Sequence, residues 1–342
     1  MITKHGFRFG RLVAYIGMAT SFLLPAGSAS AEVSEVRLAQ QFGVNYLPLT
    51  VMKKHQLVEK HAQRLGLPAI KVTWTQFGAG NVMNEALFAG SLDIASGGVG
   101  PLLKIWDKTK GNLDVRGIAS LGSMPLYLNT TNPRVKSIAD FGKGDKIALP
   151  AVRVSIQAIV LQMATAKAFG LENYAKLEDL TVAMRHPDAL AALTSGGTEI
   201  NSHFANSPFQ EQELQNPNVR RVLSSYEVLG GASTLNSLYT TRKFHDGNPK
   251  TYRAVFDALK EAVQIINKDK RAAAELYIAE EQSKLAPEFV QKILEDPEFI
   301  VTSTPQGIMK YADFMYRTKG IKNNPSNWKD LYFQEVHTEP GS

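Results

Sequence analysis

Short apolar runs alternate with longer amphipathic stretches from residue 32 onward. Runs typical of strands lie at 36–39, 70–75, 93–95, 115–119, 125–129, 146–149, 180–184, 198–202, 219–224 and 234–241. Between and after them, apolar residues at helical spacing predict helices at 47–65, 81–89, 101–107, 155–169, 187–193, 208–215, 252–266 and 270–279. This alternation predicts an α/β protein in which helices pack on mainly parallel sheets.

The extended runs at 125–129 and 234–241 interrupt the alternation. One would leave a first lobe and the other would return to it. We therefore expect a first lobe formed by residues 32–122 and 236–342, with a second lobe, residues 123–235, inserted in it. Such an arrangement makes a cleft whose hinge consists of two strands, near 120–125 and 231–236.

The first 31 residues have the pattern of a secretory signal peptide. Basic residues precede an apolar stretch at 12–24, which is followed by Pro25 and by small residues that end at Ala31. A spanning helix needs about 20 apolar residues, so this stretch is short for an uncleaved membrane anchor, which is the alternative. We expect cleavage after Ala31.

Composition narrows the class of protein. The 342 residues are 44% hydrophobic and 20% charged, which excludes a disordered chain. The net charge is +6, and three of the positive charges lie within residues 1–31, so the remainder carries +3. Basic and acidic residues are interspersed, and no stripe for nucleic acid is evident. The absence of cysteine excludes disulfides, thiolate metal sites and a lipid-attachment cysteine. By elimination, these features predict the periplasm, and a protein that is not a lipoprotein.

The predicted strands of the first lobe end in small and polar residues, and ligands of open α/β sheets bind beyond the carboxyl ends of the strands. Glycines there allow a ligand to approach the backbone, and a helix N-terminus favours an anion. The alternative is that these segments are only turns. The candidate ligand-binding residues are Gln40, Gln41, Asn45, Tyr46, Gly78, Gly80, Asn81, Ser96, Gly97 and Gly98.

In the second lobe, Arg153 and Ser155 lie where a strand gives way to a helix. Arginine is the natural partner of a carboxylate or sulfonate, although Arg153 could also be a solvated surface residue. Asn201 and His203 are further candidates, with an ordinary loop histidine as the alternative. His186 is too distant from His203 in sequence to predict a metal pair. Signatures of hydrolases, zinc proteases and nucleotide-binding loops are absent from the sequence, and no catalytic residue, metal or cofactor is predicted.

The run FGAGNVMNEALFAGSLDI at 77–94, with GVGP at 98–101, resembles substrate-binding proteins of nitrate, taurine and alkanesulfonate ABC importers. That group includes relatives for thiamine-pyrimidine precursors. The resemblance implies a type II periplasmic binding fold that captures a small solute between two lobes and delivers it to a membrane permease. Two departures leave the ligand open: the segment at 152–154 is Val-Arg-Val where sulfonate binders tend to have Gly-Ser-Ser, and Val99 replaces the usual acidic residue.

We therefore expect a monomeric, non-enzymatic binding protein for a small organic anion of the sulfonate or carboxylate class, with nitrate included. Three alternatives stay open. The chain could bind a thiamine-pyrimidine precursor, it could be an enzyme on the same fold, or it could present its loaded form to a sensor.

Overall fold

The computed structural model describes residues 1–6 and 31–342. Residues 1–6 form no helix or strand and are exposed. The predicted signal peptide falls largely on residues 7–30, outside the described residues. The account below concerns residues 32–342, which form a unit of their own.

The strands are β1 Glu35–Gln40, β2 Lys71–Gln76, β3 Ile94–Gly98, β4 Arg116–Ser123, β5 Tyr127–Thr130, β6 Ile147–Leu149, β7 Thr181–Ala183, β8 Ser202–Ala205, β9 Arg220–Ser224 and β10 Thr234–Thr240. The α-helices are α1 Leu47–Lys54, α2 Leu57–Arg64, α3 Gly80–Phe88, α4 Val99–Thr109, α5 Ile156–Phe169, α6 His186–Ser195, α7 Phe209–Glu213, α8 Ser225–Leu229, α9 Arg242–Gly247, α10 Pro249–Lys268, α11 Lys270–Glu280, α12 Pro287–Glu295 and α13 Ile308–Arg317. Short 3-10 helices occur at Val44–Tyr46, Ile138–Asp140, Leu171–Asn173, Glu178–Leu180, Trp328–Leu331 and Gln334–Val336.

The strands form two five-stranded mixed sheets flanked by helices. The first sheet has the order β2-β1-β3-β10-β4, and the second has the order β7-β6-β8-β5-β9. In the first sheet, β10 is antiparallel to both of its neighbours. In the second sheet, β5 is antiparallel to both of its neighbours. Each sheet therefore has four strands in one direction and one strand reversed. The α/β prediction with mainly parallel sheets is confirmed.

The central strands carry both apolar and polar residues, and both kinds are buried. All seven residues of β10 are buried, as are all five of β3. Buried hydroxyls must find partners. The Ser237 hydroxyl pairs with the Tyr332 hydroxyl at 2.7 Å, and the Thr240 hydroxyl donates to the Asp93 carbonyl at 2.6 Å. These hydrogen bonds fix the buried side chains of β10 in place.

Three local features differ from the sequence predictions. The helix predicted over 47–65 is two helices, because Gln56 adopts a left-handed conformation with φ of 50° between α1 and α2. The eighth strand begins at Ser202, so only the end of the predicted strand at 198–202 belongs to it. Helices α8, α9, α12 and α13 are present where no element was predicted.

Among the helices that the structure describes, none is both long enough and apolar enough to traverse a bilayer.

Candidate functional site

A small, partly open cavity lies where the carboxyl ends of strands from both sheets meet. Its volume is about 20 Å³. A cavity needs roughly 10–15 Å³ to hold one water molecule, so this space accommodates little more than one. A larger organic solute therefore requires the walls to separate before it enters.

The first sheet contributes the lining through the segments that follow β1, β2 and β3, and through β10. Gln41, Phe42, Asn45 and Tyr46 come from the segment after β1. Gly80, Gly98 and Pro101 come from the beginnings of α3 and α4, and Leu235 and Asn236 come from β10.

The second sheet contributes residues that follow β6, β7 and β8. Pro150 follows β6, and Ser155, Ile156 and Gln157 form the beginning of α5. His186 is the first residue of α6, and Asn206 follows β8. Strand ends from both sheets thus converge on one small space, as expected of open α/β sheets.

Four helix N-termini border the cavity. Gly80 and His186 are the first residues of α3 and α6, Gly98 is the N-cap of α4, and Ser155 is the N-cap of α5. Each N-terminus carries unpaired N–H groups and roughly half a positive charge from the helix dipole. Within the described part of the chain, no Asp, Glu, Lys or Arg lines the cavity. The site therefore favours negative charge through backbone groups, without a formal ion pair.

Direct contacts join the two sides of the cavity. The Val44 N–H donates to the Ser207 carbonyl at 2.9 Å. The Asn206 Nδ2 donates to the Asn45 Oδ1 at 2.7 Å and to the Phe42 carbonyl at 3.2 Å. Gly43 makes this approach feasible, because a Cβ there would lie 2.6 Å from Asn206 Nδ2 and 2.8 Å from the Ser207 carbonyl oxygen. These contacts link the segment after β1 to the segment after β8 beside the cavity.

Two polar atoms at the cavity have unused hydrogen-bonding capacity. The Tyr46 hydroxyl accepts from Gln41 Nε2 at 2.8 Å, and burial raises its pKa well above the ordinary value. The hydroxyl thus stays neutral and keeps a proton that it can donate. The Asn206 Oδ1 is buried and has no hydrogen-bond partner within the described residues. A ligand oxygen can accept from the Tyr46 hydroxyl, whereas the Asn206 oxygen needs a donor such as a water molecule or a ligand N–H or O–H.

Behind the cavity, buried side chains form a continuous hydrogen-bonded row. Gln157 Nε2 lies 3.1 Å from His186 Nε2, and His186 Nδ1 lies 2.8 Å from His203 Nε2. His203 Nδ1 pairs with Glu213 Oε1. The pKa of His186 is well below its ordinary value because of burial and, next, the neighbouring His203. The sequence separation that discouraged pairing these histidines is bridged by the fold, which joins them directly by a hydrogen bond.

Of the residues predicted from the sequence, a subset lies together in the cavity lining: Gln41, Asn45, Tyr46, Gly80, Gly98 and Ser155. Ser155 uses its hydroxyl to cap α5, accepting from the Ala158 N–H at 3.2 Å and donating to the Ala151 carbonyl at 2.8 Å. Its contribution to the cavity is therefore chiefly the helix end that it stabilises.

First-sheet candidates outside the lining have other neighbours. The side-chain nitrogen of Gln40 contacts Glu281 at 3.3 Å, and the Ser96 hydroxyl donates to the Ala39 carbonyl at 2.5 Å. A Cβ on Gly97 would meet the Tyr239 hydroxyl at 2.9 Å, and one on Gly78 would meet the Arg185 side chain at 2.8 Å. Asn81 borders a separate groove beside Lys104.

Second-sheet candidates outside the lining are also engaged elsewhere. Arg153 is exposed, and its Nε donates to Glu178 at 2.8 Å. Asn201 Nδ2 donates to Asp145 Oδ1 at 2.9 Å. His203 is fully buried behind His186. Arg153 therefore pairs with a carboxylate outside the cavity lining. His203 does not line the cavity, but it contacts the lining residue His186.

Sequence reasoning did not select several lining residues: Phe42, Pro101, Pro150, Ile156, Gln157, His186, Leu235, Asn206 and Asn236. His186, Asn206 and Gln157 follow predicted strands or begin predicted helices, so the strand-end rule could have found them. Leu235 and Asn236 lie near the amino end of the reversed strand β10, where that rule does not apply.

Other potential sites are less suited to a small anion. A groove of about 360 Å³ between β5, α7 and α12 is lined by Tyr127, Glu211 and Phe289 among others. The carboxylates of Glu211 and Asp296 line this groove and oppose an anion there. Among the described residues, no group of three or more His, Cys, Asp or Glu side chains is arranged to hold a metal ion.

The fold is that of the periplasmic binding proteins. It superposes on the alkanesulfonate-binding protein SsuA from Xanthomonas axonopodis pv. citri bound to MOPS with a TM-score of 0.67, at 18% identity over 86% of this chain and 96% of that one. The periplasmic aliphatic sulphonate binding protein SsuA from Escherichia coli gives a TM-score of 0.63, at 21% identity over 89% of this chain and 93% of that one.

Sequence comparison defines the family. A model described as the NMT1-like family matches residues 29–279, and the chain belongs to that family. A protein of Escherichia coli (strain K12), provisionally assigned as an aliphatic sulfonates-binding protein, is 28% identical over 144 residues. That match spans 40% of this chain and 41% of the relative. The predicted family resemblance is thus confirmed, and these relatives are binding proteins.

Proposed function

We propose that this protein is the solute-binding component of an ABC importer and that it captures a small organic anion in the cavity between the two sheets. The solute belongs to the sulfonate or carboxylate class, with nitrate included. The single observation that carries this proposal is the convergence of four helix N-termini on a cavity whose lining has no acidic side chain. The sulfonate-binding proteins among the relatives support the ligand class.

The anion would be held by backbone N–H groups at the beginnings of α3 and α5 and by neutral side chains. Tyr46, Gln157 and Asn45 are the donors that we assign to it. Arg153 is not among them, because its guanidinium already pairs with Glu178 outside the cavity. Buried neutral donors can bind an anion strongly, since charge-assisted hydrogen bonds contribute about 1.5–3 kcal/mol each.

Entry of the anion requires the two lobes, residues 32–122 with 236–342 and residues 123–235, to separate. The chain crosses between the sheets after β4 and again before β10. The pairing of β4 with β10 is irregular between Thr234 and Asn236, near the second crossing. Such irregularities locally weaken a ladder, and we propose that the hinge lies there and at 120–125. The loaded protein would then deliver its solute to a permease in the inner membrane, after export to the periplasm as a monomer.

A thermal-shift screen of the purified protein tests the function. The panel contains ethanesulfonate, taurine, nitrate, short carboxylates and a hydroxymethylpyrimidine. A ligand at a hundred times its Kd adds about 2.7 kcal/mol to the free energy of unfolding, which raises Tm by several degrees. We expect a shift with at least one anion. A shift with the pyrimidine alone would replace the anion proposal with a thiamine-precursor binder, and chemical conversion of any bound compound would indicate an enzyme.

A further inference from the structure

The buried row behind the cavity can carry a proton. We call Gln157, His186, His203 and Glu213 the relay. Its members are buried, and Glu213 and His203 have no exposed surface at all. The second carboxylate oxygen of Glu213 accepts from Asn129 Nδ2 at 2.8 Å. Since Gln157 and His186 also line the cavity, the relay runs from the ligand space into the core of the second sheet.

With two imidazole protons, the relay has one consistent direction. Gln157 Nε2–H donates to His186 Nε2, His186 Nδ1–H donates to His203 Nε2, and His203 Nδ1–H donates to Glu213. Both imidazoles are then neutral and Glu213 is a carboxylate. In this state the lone pair on His186 Nε2 is taken by Gln157, so His186 offers the cavity no donor, and the buried charge of Glu213 opposes an anion there.

One additional proton reverses the direction of the hydrogen bond between His186 and His203. His203 then carries protons on both nitrogens, pairs as an imidazolium with the Glu213 carboxylate, and donates from Nε2 to His186 Nδ1. The added proton enters at His186 Nε2 while the proton on His186 Nδ1 passes to His203 Nε2, so His186 stays neutral and its Nε2 becomes a donor toward the cavity. The net charge of the relay rises from −1 to zero, and the Gln157 amide is released from His186.

We propose that an anion entering this cavity takes up one proton from solvent into the relay, and that His186 Nε2–H and the Gln157 amide then donate to it. This inference rests on the proposed anion-binding function and specifies its regulation. Anion affinity and proton affinity must raise each other equally, because linkage between two binding events is reciprocal. The protein therefore binds its anion more tightly as pH falls.

Among the described groups around the relay, Glu211 is the other buried carboxylate, and its hydrogen bonds go to Ser207 and Gln210, not to either histidine. On α6, Arg185 and Asp188 pair with each other at 2.7 Å and are exposed. On α7, Phe209 stacks on His186 with ring centroids 5.7 Å apart, and Glu211 accepts from Ser207 and Gln210. The pKa of Glu211 is raised by burial and, less, by Glu213. Across the cavity Tyr46 is neutral, and α5 presents the uncharged Gln157.

The depressed pKa of His186 agrees with this scheme. His186 is the relay member that stays neutral in both states and changes only its tautomer. The added positive charge resides on His203, where the Glu213 carboxylate faces it directly.

Calorimetric titration with ethanesulfonate tests the coupling, because a sulfonate remains ionised between pH 5.5 and 8 on general chemical grounds. Titrations in two buffers of different ionisation enthalpy give the number of protons taken up per anion. We expect uptake approaching one proton per anion, and a Kd that rises with pH by up to about tenfold per pH unit. Binding with no proton uptake and an unchanged Kd would overturn the coupling while leaving the proposed function intact. If ethanesulfonate binds at no pH, both the proton coupling and the proposed binding of sulfonates are overturned.

Two variants test whether the relay is the site that takes up the proton. Glu213→Gln removes the carboxylate that stabilises the imidazolium, and His186→Gln removes the switching nitrogen. We expect both to abolish proton uptake and to flatten the pH dependence of Kd. The matched control is His61→Gln, because His61 pairs with Glu261 at 2.7 Å on α2 and α10, outside the cavity lining. Its proton uptake should equal that of the unmodified protein, and an equal loss in the control would contradict the assignment.

Nitrogen-15 NMR of the unmodified protein provides a readout that needs no variant to fold. We expect His186 to carry its proton on Nδ1 without ligand and on Nε2 with ethanesulfonate bound. The same tautomer in both states would overturn the proposal.

Discussion

Gly43 offers the sharpest test of how the cavity closes. Its backbone has φ of 127° and ψ of 160°, a region that is essentially restricted to glycine. A Cβ added there would lie 2.3 Å from Asn45 Oδ1 and 2.6 Å from Asn206 Nδ2. Gly43→Ala therefore strains the segment that spans the cleft and disturbs the hydrogen bond from Val44 to Ser207.

The free-energy penalty of Gly43→Ala follows from the backbone strain and the disturbed hydrogen bond. Backbone strain of this kind costs about 1–3 kcal/mol, and a lost hydrogen bond costs about 1 kcal/mol. If the lobes separate as proposed, the segment is released from Asn206 and Ser207 and can relax, so the penalty falls mainly on the closed state. A penalty of at least about 2 kcal/mol on closure weakens anion binding by about 30-fold.

Calorimetric titration with ethanesulfonate measures this change. Gly66→Ala is the matched control, because Gly66 also has a positive φ, of 74°, but has no atom within 4 Å of an added Cβ. The control should lower the free energy of unfolding by about 1 kcal/mol and leave Kd unchanged. An affinity of Gly43→Ala within threefold of the unmodified protein would refute the role of these contacts in the bound state.

Three further substitutions separate the cavity from its surroundings. Tyr46→Phe removes a neutral donor and should weaken ethanesulfonate binding about 10-fold by calorimetry, with little change in Tm; unchanged affinity would remove Tyr46 from the site. Arg153→Ala should leave Kd within twofold, because Arg153 pairs with Glu178 outside the cavity, whereas a tenfold loss would restore it as the charge partner. Phe204→Ala, at a fully buried position of β8, should lower the free energy of unfolding by about 3–5 kcal/mol in urea titrations, and a loss below 1 kcal/mol would contradict the packing described.

The alternation of apolar and amphipathic runs predicted most of the fold, because each strand of a sheet covered by helices must be apolar enough to be buried. It could not predict the break at Gln56, which depends on one left-handed residue inside a continuous helical pattern. It also missed the short helices α8 and α9, and it missed α12 and α13 although both of these carry apolar residues at helical spacing.

The strand-end rule found Gln41, Asn45, Tyr46, Gly80, Gly98 and Ser155 because these residues lie directly beside the carboxyl ends of strands or the helices that follow them. The same rule offered Arg153, whose direction depends on its left-handed backbone, with φ of 65°, and on the nearby Glu178 carboxylate. The partnership of His186 with His203 depends on how α6 packs beside β8, which sequence spacing does not encode.

A crystal structure of the protein grown with ethanesulfonate tests the central claim most directly. The account predicts the sulfonate between the beginnings of α3 and α5, with its oxygens within hydrogen-bond distance of backbone N–H groups, Tyr46 and Gln157. It also predicts that no lysine or arginine side chain touches the anion. A sulfonate bound to Arg153, or seated in the groove beside Phe289 with the cavity empty, would contradict it.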